Sequence, residues 1–213
     1  MSRTRRTDEG QGRLGSTLSG LAVALGCVLF LGGFVWGAIV YQPYTVPTES
    51  MTPTIGAGDR VLAQRIDGSE VKRGDVVVFT ESAWGDMPMV KRVVGVGGDR
   101  VTCCDRQGRI LVNGHPIDEP YLHPGDQPSR VPFDIEVPEG RLWVMGDHRD
   151  DSRDSRDHHG DPGGGTVPVG KVIGRADWIG WPVGHWTRLR RPAEFAAVPA
   201  PGATPEAPAG RHG

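Results

Sequence analysis

Three groups of residues in this 213-residue chain have types and spacings that can do chemistry. The first is Ser50, in Pro47-Thr48-Glu49-Ser50-Met51-Thr52-Pro53-Thr54. A serine hydroxyl becomes a useful nucleophile when a neighbouring base takes its proton. The second is Lys91, in Val90-Lys91-Arg92-Val93-Val94-Gly95-Val96. Lys72, Lys91 and Lys171 are the only lysines among 24 Lys and Arg residues, so Arg is the default cation of this chain. An arginine stays charged at any useful pH, whereas desolvation among apolar neighbours lowers a lysine pKa. A neutral Lys91 amine can accept the Ser50 proton. Two residues earlier than Ser50, Thr48 offers a hydroxyl that can hold an oxyanion together with the Ser50 backbone N–H. The third group is Gly146-Asp147-His148-Arg149-Asp150-Asp151-Ser152-Arg153-Asp154-Ser155-Arg156. Its alternating acids and arginines, with two serines, can build a hydrogen-bond network that positions other groups.

Taken singly, each feature has a plainer reading. Ser50 and Thr48 are turn residues in a proline-flanked loop, Lys91 is a cation on the solvent face of a strand, and residues 146–156 are a solvated charge run. His148, His158 and His159 lie near Asp residues but follow no familiar ligand spacing, so no metal is expected. No cofactor is expected either. Cys27 lies in an apolar run and reads as filler. Cys103 and Cys104 are adjacent, too few for a structural zinc, and are either bonded to each other or free.

The elements that must position these groups follow from composition. Gly 32 and Pro 18 make up nearly a quarter of the chain, which disfavours a helix bundle and favours short strands joined by turns. A formal net charge of −2 gives no pull toward nucleic acid. From Leu14 to Thr48 there is no charged residue, and Leu18 to Tyr41 is long enough to span a bilayer as a helix. Its exit, Val40-Tyr41-Gln42-Pro43-Tyr44, lacks the small residues of a cleaved leader. Trp36, Tyr41 and Tyr44 suit an interfacial aromatic belt, while Arg3, Arg5, Arg6 and Arg13 place the N-terminus in the cytoplasm. The expected layout is a cytoplasmic tail over 1–17, a single transmembrane anchor over 18–41, a mostly β extracytoplasmic domain over 42–191, and a structureless Pro/Ala/Gly tail over 192–213.

Within the β domain, Val76-Val77-Val78-Phe79 is a continuous β-branched run, expected as a strand buried on both faces. Asn113-Gly114 is a hairpin signal inside a smaller β insertion over about 102–140. Gly163-Gly164-Gly165 reads as a flexible break. Ser50 lies nine residues beyond Tyr41, and an extended chain covers at most about 3.3–3.6 Å per residue, so the nucleophile is expected close to the bilayer. Trp84, Met87 and Met89 are expected to form an apolar rim that touches lipid.

Together these pieces resemble bacterial type I signal peptidases, the Ser/Lys membrane proteases of peptidase family S26. The resemblance runs from the anchor to about Pro182. It rests on four motifs in order: Pro47 to Ile55 with Gly58-Asp59, Arg73-Gly74-Asp75-Val76-Val77-Val78-Phe79, Lys91-Arg92-Val93-Val94-Gly95 with Gly98-Asp99, and Gly146-Asp147 with Arg149, Ser152 and Asp154-Ser155-Arg156.

The resemblance implies a signal-peptidase-like β fold behind one membrane helix, with signal peptides of exported preproteins as substrates, cut after small residues. It implies Ser50 as acylating nucleophile, Lys91 as general base and Thr48 as side-chain oxyanion donor, where many members have Ser. Ser152 would orient the lysine amine, Asp154 and Arg156 would pair and brace the site, and Asp147 and Arg149 would support it. His148 stands where Asn is common in the family and receives no role. A self-cleaving repressor shares the dyad but needs a DNA-binding module. A non-catalytic β domain that binds a partner accounts for the anchor and strands but not for Ser50, Lys91 and Ser152 together.

Overall fold

The computed structural model describes residues 9–202, with side chains from residue 19 onward. The N-terminal eight residues, with three of the four arginines of the expected cytoplasmic tail, and residues 203–213 lie outside the described part. Two compact units divide at Tyr41. The first contains helix α1, Glu9–Val40. Its stretch Ser19–Val40 has a mean hydropathy of 2.3, long and apolar enough to cross a membrane. The helix ends at Val40, and Tyr41 opens strand β1 (Tyr41–Thr45). Cys27, a free thiol on α1, is exposed.

The second unit is built from strands. After β1 come β2 (Arg60–Gln64), β3 (Val76–Glu81), β4 (Gly85–Val96), β5 (Arg100–Cys103), β6 (Ile110–Val112), β7 (His115–Pro116), β8 (Phe133–Glu136), β9 (Arg141–Met145), β10 (Val167–Pro168), β11 (Val172–Trp181) and β12 (Thr187–Arg188). The large sheet runs β1-β2-β11-β3-β4-β9-β10, with β12 also paired to β11. The four-stranded sheet runs β7-β6-β5-β8, so the smaller β element occupies residues 100–136. Asn113 and Gly114 both take positive φ and close the tight β6–β7 hairpin, where Val112 faces His115.

Burial explains why the strands sit where they do. Val76 and Val78 pack with Met51, Ile55 and Val90 in one cluster, while Val77 and Phe79 pack with Val93, Leu142 and Val144 in another. The β-branched run of β3 is therefore covered on both sides. A third cluster joins Trp143 and Met145 to the small sheet through Val101, Ile110 and Phe133. Phe195 and Val198 belong to this cluster. The segment from Pro192 to Gly202 is thus not the structureless tail its composition suggests. A short turn over Ala193–Ala197 docks Phe195, and the Pro199 carbonyl accepts from Asn113 Nδ2. Two large apolar side chains suffice to anchor a stretch otherwise poor in them.

Gly163, Gly164 and Gly165 also differ from expectation. A Cβ at Gly165 would stand 2.2 Å from the Ser155 carbonyl oxygen, so Gly165 permits close packing against the 146–156 loop. Cys103 and Cys104 are bonded to each other. Of the expected lipid rim, Met87 alone projects, at 70% exposure. Trp84 is half-buried, edge-on to Phe79 and stacked on His158, and Met89 packs in the cluster around Phe79.

Candidate active site

Ser50 is delivered by a turn whose flanks are pinned in the core. Met51 and Ile55 are fully buried, and the Ile55 N–H donates to the Met51 carbonyl. Val46 and Asp59 tie the ends of the loop together through the Val46 N–H. With Met51 and Ile55 fixed, Ser50 is held at 6% exposure at the edge of the core. Lys91 comes from the middle of β4, opposite Val77, and is 5% exposed. Its Nζ stands 2.6 Å from Ser50 Oγ. Thr48 Oγ1 lies 3.2 Å from the same oxygen.

Burial lowers the Lys91 pKa from 10.5 to about 8. The Asp154 carboxylate pushes it back up, and Arg156 pushes it down again. Asp147 and Asp151 also push it up, so the carboxylates oppose burial, and desolvation, the largest cause, sets the direction. Below pH 8 the ammonium donates to Ser50 Oγ; above it, the neutral amine accepts the Ser50 proton across the same 2.6 Å.

The 146–156 loop follows β9 and folds over the Ser50 turn. The His148 N–H donates to the Ser50 carbonyl at 3.1 Å. Gly146 fits where no side chain could: a Cβ there would lie 2.4 Å from the Ser50 carbonyl oxygen and 2.3 Å from Ser152 Oγ. Asp154 Oδ2 accepts from the Gly146 N–H at 3.0 Å, from Ser152 Oγ at 2.8 Å and from Arg156 Nη2 at 2.8 Å. Burial pushes the Asp154 carboxyl up, but the Arg156 guanidinium and these donors hold it below its ordinary value. The Ser152 hydroxyl proton therefore goes to Asp154, and no hydrogen bond runs from Ser152 to the Lys91 amine among the described residues. The influence of Ser152 on the lysine thus passes through Asp154, whose carboxylate raises the Lys91 pKa.

Asp147 and Arg149 close a buried ring of polar contacts around the loop. Asp147 accepts from Thr54 Oγ1 at 2.6 Å and from Arg92 Nε at 2.8 Å and Nη2 at 2.6 Å. The Arg92 guanidinium also donates to the Gly74 carbonyl and lies 4.2 Å from the Tyr121 ring centre. Tyr121 donates to Glu119, which pairs with Arg149, and Arg149 Nε returns to the Gly146 carbonyl at 2.8 Å. Desolvation of this kind is tolerated because every charge meets an opposite partner. Sequence reasoning missed Arg92, Thr54, Glu119 and Tyr121. One signal was available, since Arg92 is a cation within a valine strand and must find a buried counter-ion.

His148 meets neither His158 nor His159. Its ring stacks on His123, 4.0 Å between centroids, with Asp126 beside both. His158 instead pairs with Asp161 at 2.7 Å. Among the described residues, the group that offers metal-ligand atoms close together is His123, Asp126 and His148.

Residues 18–181 match the family described as "Signal peptidase, peptidase S26". The chain is 36% identical to Signal peptidase I of Mycobacterium tuberculosis over 89% of its own length and 81% of that protein. It is 35% identical to a probable signal peptidase I of Mycobacterium leprae over 72% of this chain and 73% of the relative. Signal peptidase IB of Staphylococcus aureus is 32% identical, with 73% of this chain and 85% of that protein covered. A family match that takes in the α1 segment, the Ser50 turn, β4 and the 146–156 loop, and relatives aligned over most of both chains, leave one conclusion: the chain belongs to the S26 signal peptidase family.

Proposed function

We propose that this chain is a membrane-anchored endopeptidase that removes N-terminal signal peptides from exported preproteins, with Ser50 as nucleophile and Lys91 as general base. The observation that carries the reading is the buried amine at 2.6 Å from Ser50 Oγ, with a pKa lowered to about 8. Membership of the signal peptidase family supports the substrate class and cleavage after small side chains.

In the reaction, Ser50 Oγ attacks the scissile carbonyl carbon as its proton passes to the neutral Lys91 Nζ. The developing oxyanion is held by the Ser50 N–H and the Thr48 hydroxyl. Lys91 returns its proton to the leaving amine, which departs with the mature protein, and the acyl group stays on Ser50. Neutral again, Lys91 takes a proton from water, which attacks the ester carbon; the C–Oγ bond breaks, Lys91 returns that proton to Ser50 Oγ, and the signal peptide leaves with a new carboxyl terminus. Asp154 and Arg156 fix the charge around the amine, and Ser152 helps hold Asp154. Asp147 and Arg149 keep the loop against the nucleophile turn. The helix over Ser19–Val40 supports attachment to the bilayer, and the arginines ahead of it support a cytoplasmic N-terminus with the β domain on the other side.

Cleavage of a purified preprotein in detergent tests the assignment. Wild type is expected to cut it, and Ser50→Ala and Lys91→Ala to lose cutting. Substantial activity in Lys91→Arg would refute the general-base role, because a guanidinium does not become neutral.

A further inference from the structure

A second cluster of chemistry-bearing groups meets the Ser50 turn through His148, which is hydrogen-bonded to the Ser50 carbonyl and to Thr52. His123 and Asp126 come from the loop between β7 and β8, and His148 from the loop after β9. Asp126 Oδ1 stands 3.8 Å from His123 Nδ1 and 4.0 Å from His148 Nε2. Neither is a hydrogen-bond distance. The Asp126 carboxylate is 5% exposed, and its other oxygen accepts from the Asp150 N–H.

The hydrogen bonds around His148 fix which nitrogen carries the proton. Thr52 Oγ1 donates its single proton to the Glu49 carbonyl at 2.8 Å. Toward His148 Nδ1, at 3.2 Å, it can therefore only accept. His148 Nδ1 is the donor, and in the neutral ring Nε2 turns a lone pair toward Asp126. A backbone or hydroxyl acceptor on the far nitrogen is the arrangement that prepares an imidazole to ligate a metal. The backbone holds the groups in place: the His123 N–H donates to the Asp147 carbonyl, the Asp126 N–H to the His123 carbonyl, and the His148 N–H to the Ser50 carbonyl.

We propose that His123, Asp126 and His148 form a binding site for a late first-row divalent cation of the Zn2+ type. Two imidazoles and a carboxylate favour such ions over Ca2+ and Mg2+, which prefer all-oxygen shells. Ligands at about 2.0–2.2 Å on a tetrahedral ion stand about 3.4 Å apart, so Asp126 closes on each imidazole by about half an ångström, and the two imidazoles, within 4.8 Å of each other, close by at most about 1.4 Å. The stacked rings must also splay, because a bound ion lies in the plane of each imidazole. His148 is held by Thr52, and His123, with 38% of its side chain exposed, is the ring that turns. Water completes the coordination. The site ties the 121–132 loop to the 146–156 loop, whose His148 is hydrogen-bonded to the Ser50 carbonyl and to Thr52. It is not a participant in the serine–lysine chemistry and does not rest on it.

The test titrates Zn2+ into the full-length Ser50→Ala chain in detergent by calorimetry, with thermal unfolding in parallel. One equivalent is expected to bind and to raise Tm. His123→Ala, Asp126→Asn and His148→Asn are each expected to weaken binding about tenfold or more and to abolish the Tm rise, and Thr52→Val to weaken it less. Metal-free Tm values of the variants separate a lost ligand from a lost fold, and with three ligand variants at least one is read on a folded chain. Absent binding, affinity unchanged in the folded ligand variants, or Ca2+ bound as tightly as Zn2+ overturns the proposal. Because Ser50 is already replaced, none of these outcomes depends on whether the chain cleaves preproteins.

Discussion

Lys91→Met separates the cost of the buried amine from its use. In the unfolded chain the lysine has a pKa near 10.5, and in the folded chain one near 8. Below pH 8 it is charged in both states, and above 10.5 neutral in both. Between these limits the unfolded chain holds a proton that the folded chain has released, so stability rises with pH across the window. At 1.36 kcal/mol per pKa unit the rise is about 3 kcal/mol, and at pH 7 the whole of it stands as a destabilisation. Methionine fills similar space without charge. Its loss of the Ser50 hydrogen bond costs about 1 kcal/mol, so the variant is expected to be more stable than wild type at pH 7 by about 2 kcal/mol. For a chain of this size that is about 4–8 °C in Tm. At pH 10 the gain should largely vanish, and other groups that titrate there cancel in the difference between the two proteins. In wild type the same pKa leaves about 9% of the amine neutral at pH 7, some 300-fold more than an unshifted lysine would have. Cleavage rate should therefore rise about tenfold per pH unit up to about 7.5 and level off above 9. Thermal unfolding of both proteins at pH 7 and 10, with a pH–rate profile of wild type, provides the readout. A Lys91→Met protein less stable than wild type at pH 7, or a rate still climbing tenfold per unit at pH 10, would refute the reasoning.

The neighbouring charges give two variants of opposite sign. Asp154→Asn removes the charge that raises the Lys91 pKa and should move the limb of the pH–rate profile to lower pH, whereas Arg156→Met should move it to higher pH; a shift in the same direction for both would contradict the electrostatic account. Gly146→Ala places a methyl group against the Ser50 carbonyl and Ser152, and the displaced nucleophile should lower kcat by about a hundredfold while KM changes little, measured on a preprotein or signal-peptide substrate. A chain ending at Arg191 loses the buried Phe195 and Val198, each worth about 1.5–3 kcal/mol, and should unfold at a temperature lower by several degrees.

What the sequence revealed, and what it hid, depends on the range over which each interaction is specified. The strand of Val76–Phe79, the Asn113-Gly114 hairpin and the apolar helix are set by neighbours in the chain, and their residue types announce them. Lys91 was readable because a rare lysine in a valine strand of an arginine-rich chain calls for a reason. The partners of Arg92 and Arg149 were not readable. Asp147 is 55 residues from Arg92, Glu119 is 30 from Arg149, and any of the 26 acidic residues could have served by sequence alone. The same limit hid the meeting of His123 with His148, and it made the segment from Pro192 to Gly202 look structureless, because docking two apolar side chains into a distant cluster leaves no periodic trace.

Those long-range contacts decide how the lysine is tuned. A desolvated amine next to a lone carboxylate would be held as an ammonium, and next to a lone guanidinium it would lose its proton at the expense of a second unpaired charge. Asp154 and Arg156 pair two residues apart in sequence, at 2.8 Å, and push the amine in opposite directions. Gly146 supplies the N–H that fixes Asp154 while leaving room for Ser152 and the Ser50 carbonyl. Burial can then set the Lys91 pKa near 8 without either charge dominating. The ring from Thr54 through Asp147, Arg92, Tyr121, Glu119 and Arg149 keeps that loop at a fixed distance from the nucleophile turn. The Asp154–Arg156 ion pair thus bears on the proton affinity of the buried lysine, whose pKa burial brings down to about 8.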